Sequence, residues 1–199
     1  LDMLAGYGVF ALGRSNPKIR KALHDALDLE YPNMVQMDAP LAAALLAEKI
    51  IGYMPKGVDT VFFTNSGTEA NEGAIKFARK FTGKQRIIFW DHAFHGLTTG
   101  SLALNGGGEF RKGFGDLLPG ATKIPMNDIE ALRSEIKKGD VAAFFFEPIQ
   151  GKGVFIADDS FYSEAEKICR ETDVRTNKKQ RVDPTNISIL NDCDAQKCS

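Results

Sequence analysis

The chain has 199 residues, a formal net charge of −1 at pH 7 and 43% hydrophobic residues. This composition is typical of a globular protein, and the length suits one domain or part of a larger one. The near-neutral balance of charged side chains gives no support for a nucleic-acid partner or an anionic membrane surface. Because no apolar run approaches the roughly 20 residues of a membrane-spanning helix, we expect no membrane partner.

The start of the chain and its cysteines bear on where the protein functions. The first residue is Leu1 rather than Met, and residues 1–13 already resemble folded interior, which indicates that the sequence begins inside a longer protein. Cys169, Cys193 and Cys198 all lie late in the chain and make no disulfide framework. A reduced, cytoplasmic setting is therefore the prediction.

Three early glycines, Gly6, Gly8 and Gly13, are similar in part to the fingerprint of a dinucleotide-binding loop. Their spacing is G-x-G-x4-G instead of G-x-G-x-x-G, and no helix is expected to begin directly at the third glycine. A glycine-rich turn that lines a site is the better interpretation.

Two helices are predicted before residue 60. The first begins at Asn16, which suits the N-cap, and Pro17, which suits the first helical position. The second covers residues 41–51 and is apolar almost all round, so we expect it to be well buried. A polar-aromatic connection at 31–40 joins them, and residues 54–57 end the second helix. The apolar stripe of the first helix consists of Ile19, Ala22, Leu23, Ala26 and Leu27.

The most informative stretch is T-N-S-G-T-E-A-N, residues 64–71. An apolar, β-prone triplet at 61–63 predicts a strand before it, and an amphipathic helix follows it. Ser66, Gly67 and Thr68 then lie where helix amides have no intrahelical partner, which makes an anion site. The alternative is that Ser66 or Thr68 only caps the helix and Gly67 only forms the turn. The apolar face of the helix consists of Ala70, Ala74, Phe77, Ala78 and Phe81.

The following residues alternate predicted strands and helices. A glycine-rich irregular segment covers residues 105–120. One helix has a capping-box-like start at Asn127 and Glu130, and the last has Ser160 as its cap. This order predicts an α/β fold with a mostly parallel sheet and crossover helices. The strands are predicted at 86–91, 121–125 and 141–146.

Polar segments follow three predicted strands directly, at residues 64–68, 92–96 and 147–150. Ligands in open parallel sheets bind beyond the carboxyl ends of the strands, so we expect these segments to converge on one site. A zinc interpretation of His92-x-x-His95 lacks an evident third ligand, and we predict no metal.

The character of the sequence changes near Thr172. Residues 173–199 contain no aromatic residue and no glycine, and they carry nine charged side chains. We therefore predict an N-terminal segment with helices at 1–60, a cofactor-binding domain at 61–172, and a divergent, disordered tail at 173–199.

Three motifs carry a family likeness: F-F-T-N-S-G-T-E-A-N-E-G-A-I-K-F-A-R, D-H-A-F-H-G-L-T and F-F-E-P-I-Q-G-K-G-V. In this order they resemble the class III aminotransferases, which are pyridoxal-phosphate enzymes of fold type I. That family includes ornithine, acetylornithine, 4-aminobutyrate and diamine aminotransferases. The match runs from Leu1 to about Thr172, and it implies a partial fold type I large domain, pyridoxal 5′-phosphate as cofactor and a homodimer.

The resemblance also implies roles for individual residues. Phe94 would stack on the pyridine ring, with a plain core position as the alternative, and His95 with Gly96 would complete the second motif. Glu147 would lie near substrate and cofactor, with a structural ion pair to an arginine as the alternative. Gln150 would line the site or only form a turn. The cofactor phosphate would be held by Ser66, Gly67 and Thr68.

Leu97 departs from the family pattern. Acetylornithine-type members tend to carry arginine at the matching position, where it could clasp a substrate carboxylate. Leucine cannot make that bidentate contact. The departure favours an amine or ω-amino acid as donor, with a 2-oxo acid as acceptor.

The resemblance further implies a Schiff-base lysine and an acid against the pyridine nitrogen, both downstream of E-P-I-Q. Here D-V-R-T-N-K-K-Q-R follows C-R-E-T, and none of the sixteen lysines lies in the family's Schiff-base context. Lys76, Lys80, Lys137 and Lys138 suit a solvated surface.

We therefore predict an aminotransferase that is present here as an incomplete, inactive chain. One alternative is a non-catalytic cofactor-binding or dimer-forming remnant. Another is an unrelated nucleotide-binding α/β protein, although no phosphate-loop or dinucleotide motif is present.

Overall fold

The structure, a computed structural model, describes residues 2–6, 9–30, 40–54 and 58–172, and the backbone of 175–178 and 189–190. Most of the predicted connection at 31–40, the predicted turn at 55–57, and Cys193 and Cys198 lie outside the described residues. No helix in the described ranges is long and apolar enough to cross a membrane. The chain divides into two compact units, with the boundary close to residue 61.

The first unit contains helices α1 (Pro17–Asp28) and α2 (Leu41–Ile51). Asn16 caps α1 as predicted, because its side chain accepts a hydrogen bond from the Lys18 amide at 2.9 Å. The prediction that α2 is well buried is wrong: none of its residues is buried, and Leu41 is 64% exposed. An apolar surface on every side of a helix does not by itself supply the second layer that would cover it.

Helix α3 (Gly67–Thr82) lies in the second unit and follows the central stretch as predicted, with Ser66 as N-cap and Gly83 as left-handed C-cap. Its buried face is rotated from the predicted one, because Phe77 is 41% exposed. Most side chains on the buried face are small. That face consists of Ala70, Asn71, Gly73, Ala74, Ile75 and Ala78.

The strand predicted at residues 61–63 is absent from the described structure. Phe62 is 57% exposed and Phe63 is 42% exposed, and the backbone there belongs to none of the described strands. A β-prone triplet forms a strand only where a neighbouring strand completes the hydrogen-bond ladder, and none of the described strands does so here.

The sheet has the order β2-β1-β3-β4-β5, and all neighbours are parallel except the last pair. All six residues of β3 are buried, and one hydrophobic cluster lies on each face of the sheet. This is the covered, mostly parallel sheet that the sequence predicts. The strands are β1 (Arg86–Trp90), β2 (Ala121–Ile124), β3 (Val141–Phe146), β4 (Arg175–Lys178) and β5 (Ile189–Leu190).

Crossover helices connect the parallel strands as predicted. Helix α6 (Ile129–Ile136) begins one residue later than expected, because the Asp128 side chain caps the Ala131 amide at 2.8 Å. Asn127 has a φ of +63° and instead bonds Asp158. Helix α7 (Asp159–Glu171) contains Ser160, which therefore is not its cap.

The segment predicted to be irregular at 105–120 contains a helical turn, α5 (Gly108–Arg111), and α4 (Thr99–Ala103) precedes it. Residues 112–116 after α5 are exposed, and the ideal Cβ positions of Gly113 and Gly115 meet no atom within 4 Å. Strands β4 and β5 lie within the predicted tail at 173–199. Most of that tail lies outside the described residues, so its disorder stays a prediction.

Candidate active site

The three polar segments meet at the carboxyl ends of β1 and β3. The Asn71 side-chain amide of α3 donates to the His95 carbonyl oxygen at 2.5 Å. Gln150 donates to the carbonyl oxygen of Asp91 at 3.2 Å, from the segment that follows β3. The loop after β1 thus contacts both the start of α3 and the segment 147–150, as the sequence predicts.

The start of α3 presents backbone donors. The first intrahelical bond runs from the Ala70 amide to the Ser66 carbonyl oxygen at 3.1 Å, so the amides of Gly67 and Thr68 precede it and point out of the helix. The Ser66 hydroxyl accepts from the Glu69 amide at 3.3 Å. Helix capping by Ser66 is therefore present, and it leaves the amides of Gly67 and Thr68 facing outward, where the positive end of the helix dipole favours an anion.

Two buried asparagines hold the loop after β1. Asn105 accepts from the His95 amide at 2.7 Å and donates to the Gly96 carbonyl oxygen at 2.8 Å. Asn71 binds the same loop from α3. His95 itself is 2% exposed, and its ring lies edge-on to Phe145 at 6.0 Å. His95 is thus a buried residue of this loop, and the hydrogen bonds of its backbone to Asn71 and Asn105 fix its position.

Phe94 lies half-buried in this loop, two residues before Gly96. Its ring meets Phe110 edge-on, with centroids 5.1 Å apart. The Lys152 ammonium lies 4.4 Å above the Phe110 ring and forms an ion pair with Glu109 at 2.7 Å. The hydrogen bond from Lys152 lowers the pKa of Glu109. Phe94, Phe110, Lys152 and Glu109 thus form a series of contacts, the aromatic row. This row runs from half-buried Phe94 to the exposed ion pair of Lys152 and Glu109.

Glu147 and Gln150 are both buried at the end of β3, at 4% and 1% exposure. Glu147 accepts a hydrogen bond from the Gly151 amide at 3.0 Å. No arginine pairs with Glu147 among the described residues, so the ion-pair alternative has no support in the structure. The Gln150 Oε1 and Asn71 Oδ1 atoms are buried without a hydrogen-bond partner in the described part of the chain.

A hydroxyl cluster next to the turn was not foreseen. Thr68, Thr98 and Ser101 bring their hydroxyl oxygens within 2.5 to 2.9 Å of one another, and Glu72 receives a bond from Thr98. Glu72 lies outside the apolar face predicted for the helix, and the sequence alone gave it no role. Its spacing of four residues from Thr68 places both side chains on the same face of α3, and this spacing could have indicated that Glu72 belongs to the cluster.

The described residues contain no group of three or more side chains suited to bind a metal ion. His92 and His95 lie in different surroundings, because His92 is exposed and stacks on Phe155 at 4.7 Å while His95 is buried.

Residues 1–175 match the family model described as aminotransferase class-III. The chain belongs to the class-III aminotransferases. This family assignment confirms the resemblance inferred from the three motifs, and it removes the alternative of an unrelated nucleotide-binding protein.

Similar proteins agree with the family assignment. The chain is 41% identical over 175 residues to the aminotransferase PigE of a Serratia species, covering 87% of this chain and 20% of that protein. It is 40% identical to the acetylornithine aminotransferase of Bacillus anthracis, covering 86% of this chain and 44% of that enzyme. This class-III chain therefore spans less than half the length of these relatives.

Solved structures confirm the fold. The ornithine aminotransferase of Toxoplasma gondii superposes with a TM-score of 0.81 at 26% identity, over 88% of this chain and 43% of that one. The omega transaminase of Pseudomonas jessenii, solved in complex with PMP, gives a TM-score of 0.79 at 26% identity, over 87% and 45% of the two chains. The class-III chain thus has part of the fold type I architecture that the sequence predicts.

The lysines assigned to the surface of this class-III chain are exposed: Lys76, Lys80, Lys137 and Lys138. The side chains of Lys178 and Lys179 lie outside the described residues. That the Schiff-base lysine and the pyridine-nitrogen acid are missing remains a prediction from sequence.

Proposed function

We propose that this chain forms the phosphate-binding part of a pyridoxal-phosphate-dependent aminotransferase site. The observation that carries the proposal is the pair of outward-facing amides at Gly67 and Thr68, held against the loop that contains Phe94. Helix-start amides of this kind bind phosphate groups. The relatives support the choice of cofactor, because a structure of the Toxoplasma gondii ornithine aminotransferase is described with PLP at its active site.

In this proposal each site residue has one task. The amides of Gly67 and Thr68 and the hydroxyl of Ser66 bind the phosphate, and Phe94 contacts the flat face of the ring. Glu147 lies at the substrate side. When bound, the cofactor supplies an electron-withdrawing ring that allows an amino group to be transferred.

Two features of the structure fit such a ligand. The orphaned oxygens of Asn71 and Gln150 are acceptors that a polar ligand or its water shell can satisfy. The Glu147 carboxylate is buried in the segment after β3, and Gln150 of the same segment donates to the carbonyl oxygen of Asp91 at the end of β1. Buried acceptors at the strand ends, together with the outward-facing amides of α3, suit a cofactor that has both donor and acceptor groups.

For the substrates we propose an amine or ω-amino acid as donor and a 2-oxo acid as acceptor. Leu97 is 61% exposed in the loop that carries Phe94, and an aliphatic side chain cannot form the paired hydrogen bonds by which arginine binds a carboxylate. The homodimer and the cytoplasmic setting also remain proposals, supported by family membership alone.

Binding of pyridoxal 5′-phosphate and of pyridoxal to the full chain tests the proposal. We expect tighter binding of the phosphorylated compound, and we expect Gly67→Asp to raise its Kd by roughly tenfold or more, because a carboxylate placed among the amides repels phosphate. The control is Gly52→Asp, whose Cβ would make an ordinary contact of 3.4 Å at the end of α2. Equal affinity for both compounds, or an unchanged Kd in Gly67→Asp, contradicts the proposal.

A second candidate function is a cofactor-binding or dimer-forming remnant without turnover. The stretch D-V-R-T-N-K-K-Q-R, which follows C-R-E-T where the resemblance implies the acid against the pyridine nitrogen, favours it. Incubation of the loaded chain with an amine and a 2-oxo acid separates the two candidates. Amino-group transfer supports the enzyme, whereas phosphate-dependent binding without transfer supports the remnant.

A further inference from the structure

Glu72 lies one helical turn after Thr68 on α3 and reaches across to the start of α4. A single oxygen, Oε1, accepts hydrogen bonds from the Thr98 hydroxyl at 2.5 Å, the Gly100 amide at 2.8 Å and the Ser101 amide at 3.0 Å. A Cβ at Gly100 would overlap the other carboxylate oxygen. The carboxylate is therefore closely enclosed and ties α3 to α4.

Thr68, Thr98 and Ser101 each have one hydroxyl proton to donate, and this limit decides which of them donate in their hydrogen bonds. Because Thr98 donates its only hydroxyl proton to Glu72, it can only accept in its contact of 2.7 Å with the Thr68 hydroxyl. Ser101 donates its hydroxyl proton to the Thr98 carbonyl oxygen at 3.2 Å, so it too can only accept in its contact of 2.5 Å with Thr68. Thr68 is therefore the donor to one of these two hydroxyl oxygens. The Thr98 amide in turn donates to Thr68 Oγ1 at 3.2 Å. The hydroxyl proton of Thr68 is thus used inside the protein, and Thr68 faces a ligand with its backbone amide.

We propose that Glu72 is a positioning residue of the phosphate-binding turn, an inference that rests on the proposed function. By accepting the proton of Thr98, Glu72 makes the Thr68 hydroxyl an inward donor. The side chain of Thr68 is then fixed from both directions, and its amide stays aligned with that of Gly67 toward the phosphate. Binding of the phosphate therefore depends on whether the side chain at position 72 is long enough to bind Thr98 and the start of α4 together.

Two substitutions of Glu72 separate the effect of side-chain length from the effect of charge. Glu72→Gln keeps the length of the side chain and an amide oxygen that can accept from Thr98 and from the start of α4, but it loses the charge. Glu72→Asp keeps the charge but is one methylene shorter and cannot reach Thr98 and α4 together. Glu130→Gln, on the surface of α6, controls for the change in net charge, since its side chain is 77% exposed.

The experiment titrates each full-length variant with pyridoxal 5′-phosphate and with pyridoxal, below the midpoint of its thermal unfolding. We expect Glu72→Gln and Glu130→Gln to stay within about twofold of the parent Kd for the phosphate compound. We expect Glu72→Asp to raise that Kd roughly tenfold, which equals about 1.4 kcal/mol. The Kd for pyridoxal should not change, whereas a general loss of folding would weaken both compounds.

The outcomes distinguish this inference from the proposed function. If Glu72→Asp binds like the parent chain while Glu72→Gln is weakened, charge and not reach matters, and the positioning role is wrong. If all variants bind the phosphate compound equally, the role is also wrong and the cofactor site stands. If the parent chain does not prefer the phosphate compound, the proposed function itself fails.

Discussion

At Gly96 the backbone has a φ of +127°, and an added Cβ would overlap the Thr68 side chain and lie 2.8 Å from Ser101 Oγ. The close approach of the loop to the start of α3 therefore requires glycine at this position. Asn71 and Asn105 bind the backbone on both sides of this contact. The turn at Ser66, Gly67 and Thr68 and the loop with Phe94 are thus held together by contacts between single residues.

Gly96→Ala tests this arrangement. We expect the alanine to push the loop from Thr68 and to raise the Kd for pyridoxal 5′-phosphate by roughly tenfold, about 1.4 kcal/mol, because the added Cβ would overlap the Thr68 side chain. Titration of the full chain measures the effect. Gly113→Ala is the matched control, because Gly113 also has a positive φ of +90° but open space around its Cβ. Equal effects of the two substitutions would show that only backbone strain matters.

At the scale of elements, long periodic segments were predictable and short or long-range features were not. The strands β1 and β3 follow from continuous apolar runs, and α3 follows from its periodicity and from Ser66 and Gly83 at its ends. Helices α4 and α5 are too short to show a period. The cap of α6 was misplaced because Asn127 and Asp128 are both good capping residues. Glu72 was missed because its partners lie 26 to 29 residues away.

Arg86 joins three elements, and its ion pairs predict how stability depends on pH. The guanidinium binds Glu135 near the end of α6 at 2.5 Å and Asp140 just before β3 at 2.8 Å. The hydrogen bond from Arg86 lowers the pKa of Asp140, and bonds from Lys138 and then Arg86 lower the pKa of Glu135. Groups with lowered pKa stabilise the folded state above their unfolded pKa, and they lose this contribution as pH falls through the folded pKa.

We therefore expect the free energy of unfolding to fall as pH decreases from about 5 to 3, and we expect Arg86→Met to reduce that slope. Urea unfolding at several pH values measures it. Lys21→Met is the control, because Lys21 and Asp25 form an exposed pair on α1, and such pairs contribute little. A slope that is the same in Arg86→Met as in the parent chain would contradict this account.

At the scale of the whole molecule, the apolar centre of the sheet supports the site. Phe144 in β3 is fully buried and packs edge-on against Trp90 of β1 at 5.7 Å. Two of the three polar segments of the site, 92–96 and 147–150, follow these two strands directly. The parallel topology could be predicted from the order of elements, and it alone brings segments 50 residues apart to one edge.

Phe144→Ala should lower the free energy of unfolding by about 3–5 kcal/mol, because it leaves a cavity between the strands and the covering helices. Urea unfolding followed by the fluorescence of Trp90 measures the change. Phe114→Ala is the matched control, since Phe114 is 67% exposed in the segment after α5, and little change is expected. Comparable losses in both variants would mean that the centre of the sheet does not dominate stability.

The exposed residues 112–116 offer a place for a spectroscopic label. They follow α5, whose Phe110 touches Phe94, yet their own side chains are exposed, and a Cβ added at Gly113 or Gly115 would meet no atom within 4 Å. A dye attached at Lys112 would sit two residues from Phe110 while leaving the turn at Gly67 untouched. Its emission could then follow the arrival of a ligand at the aromatic row in real time.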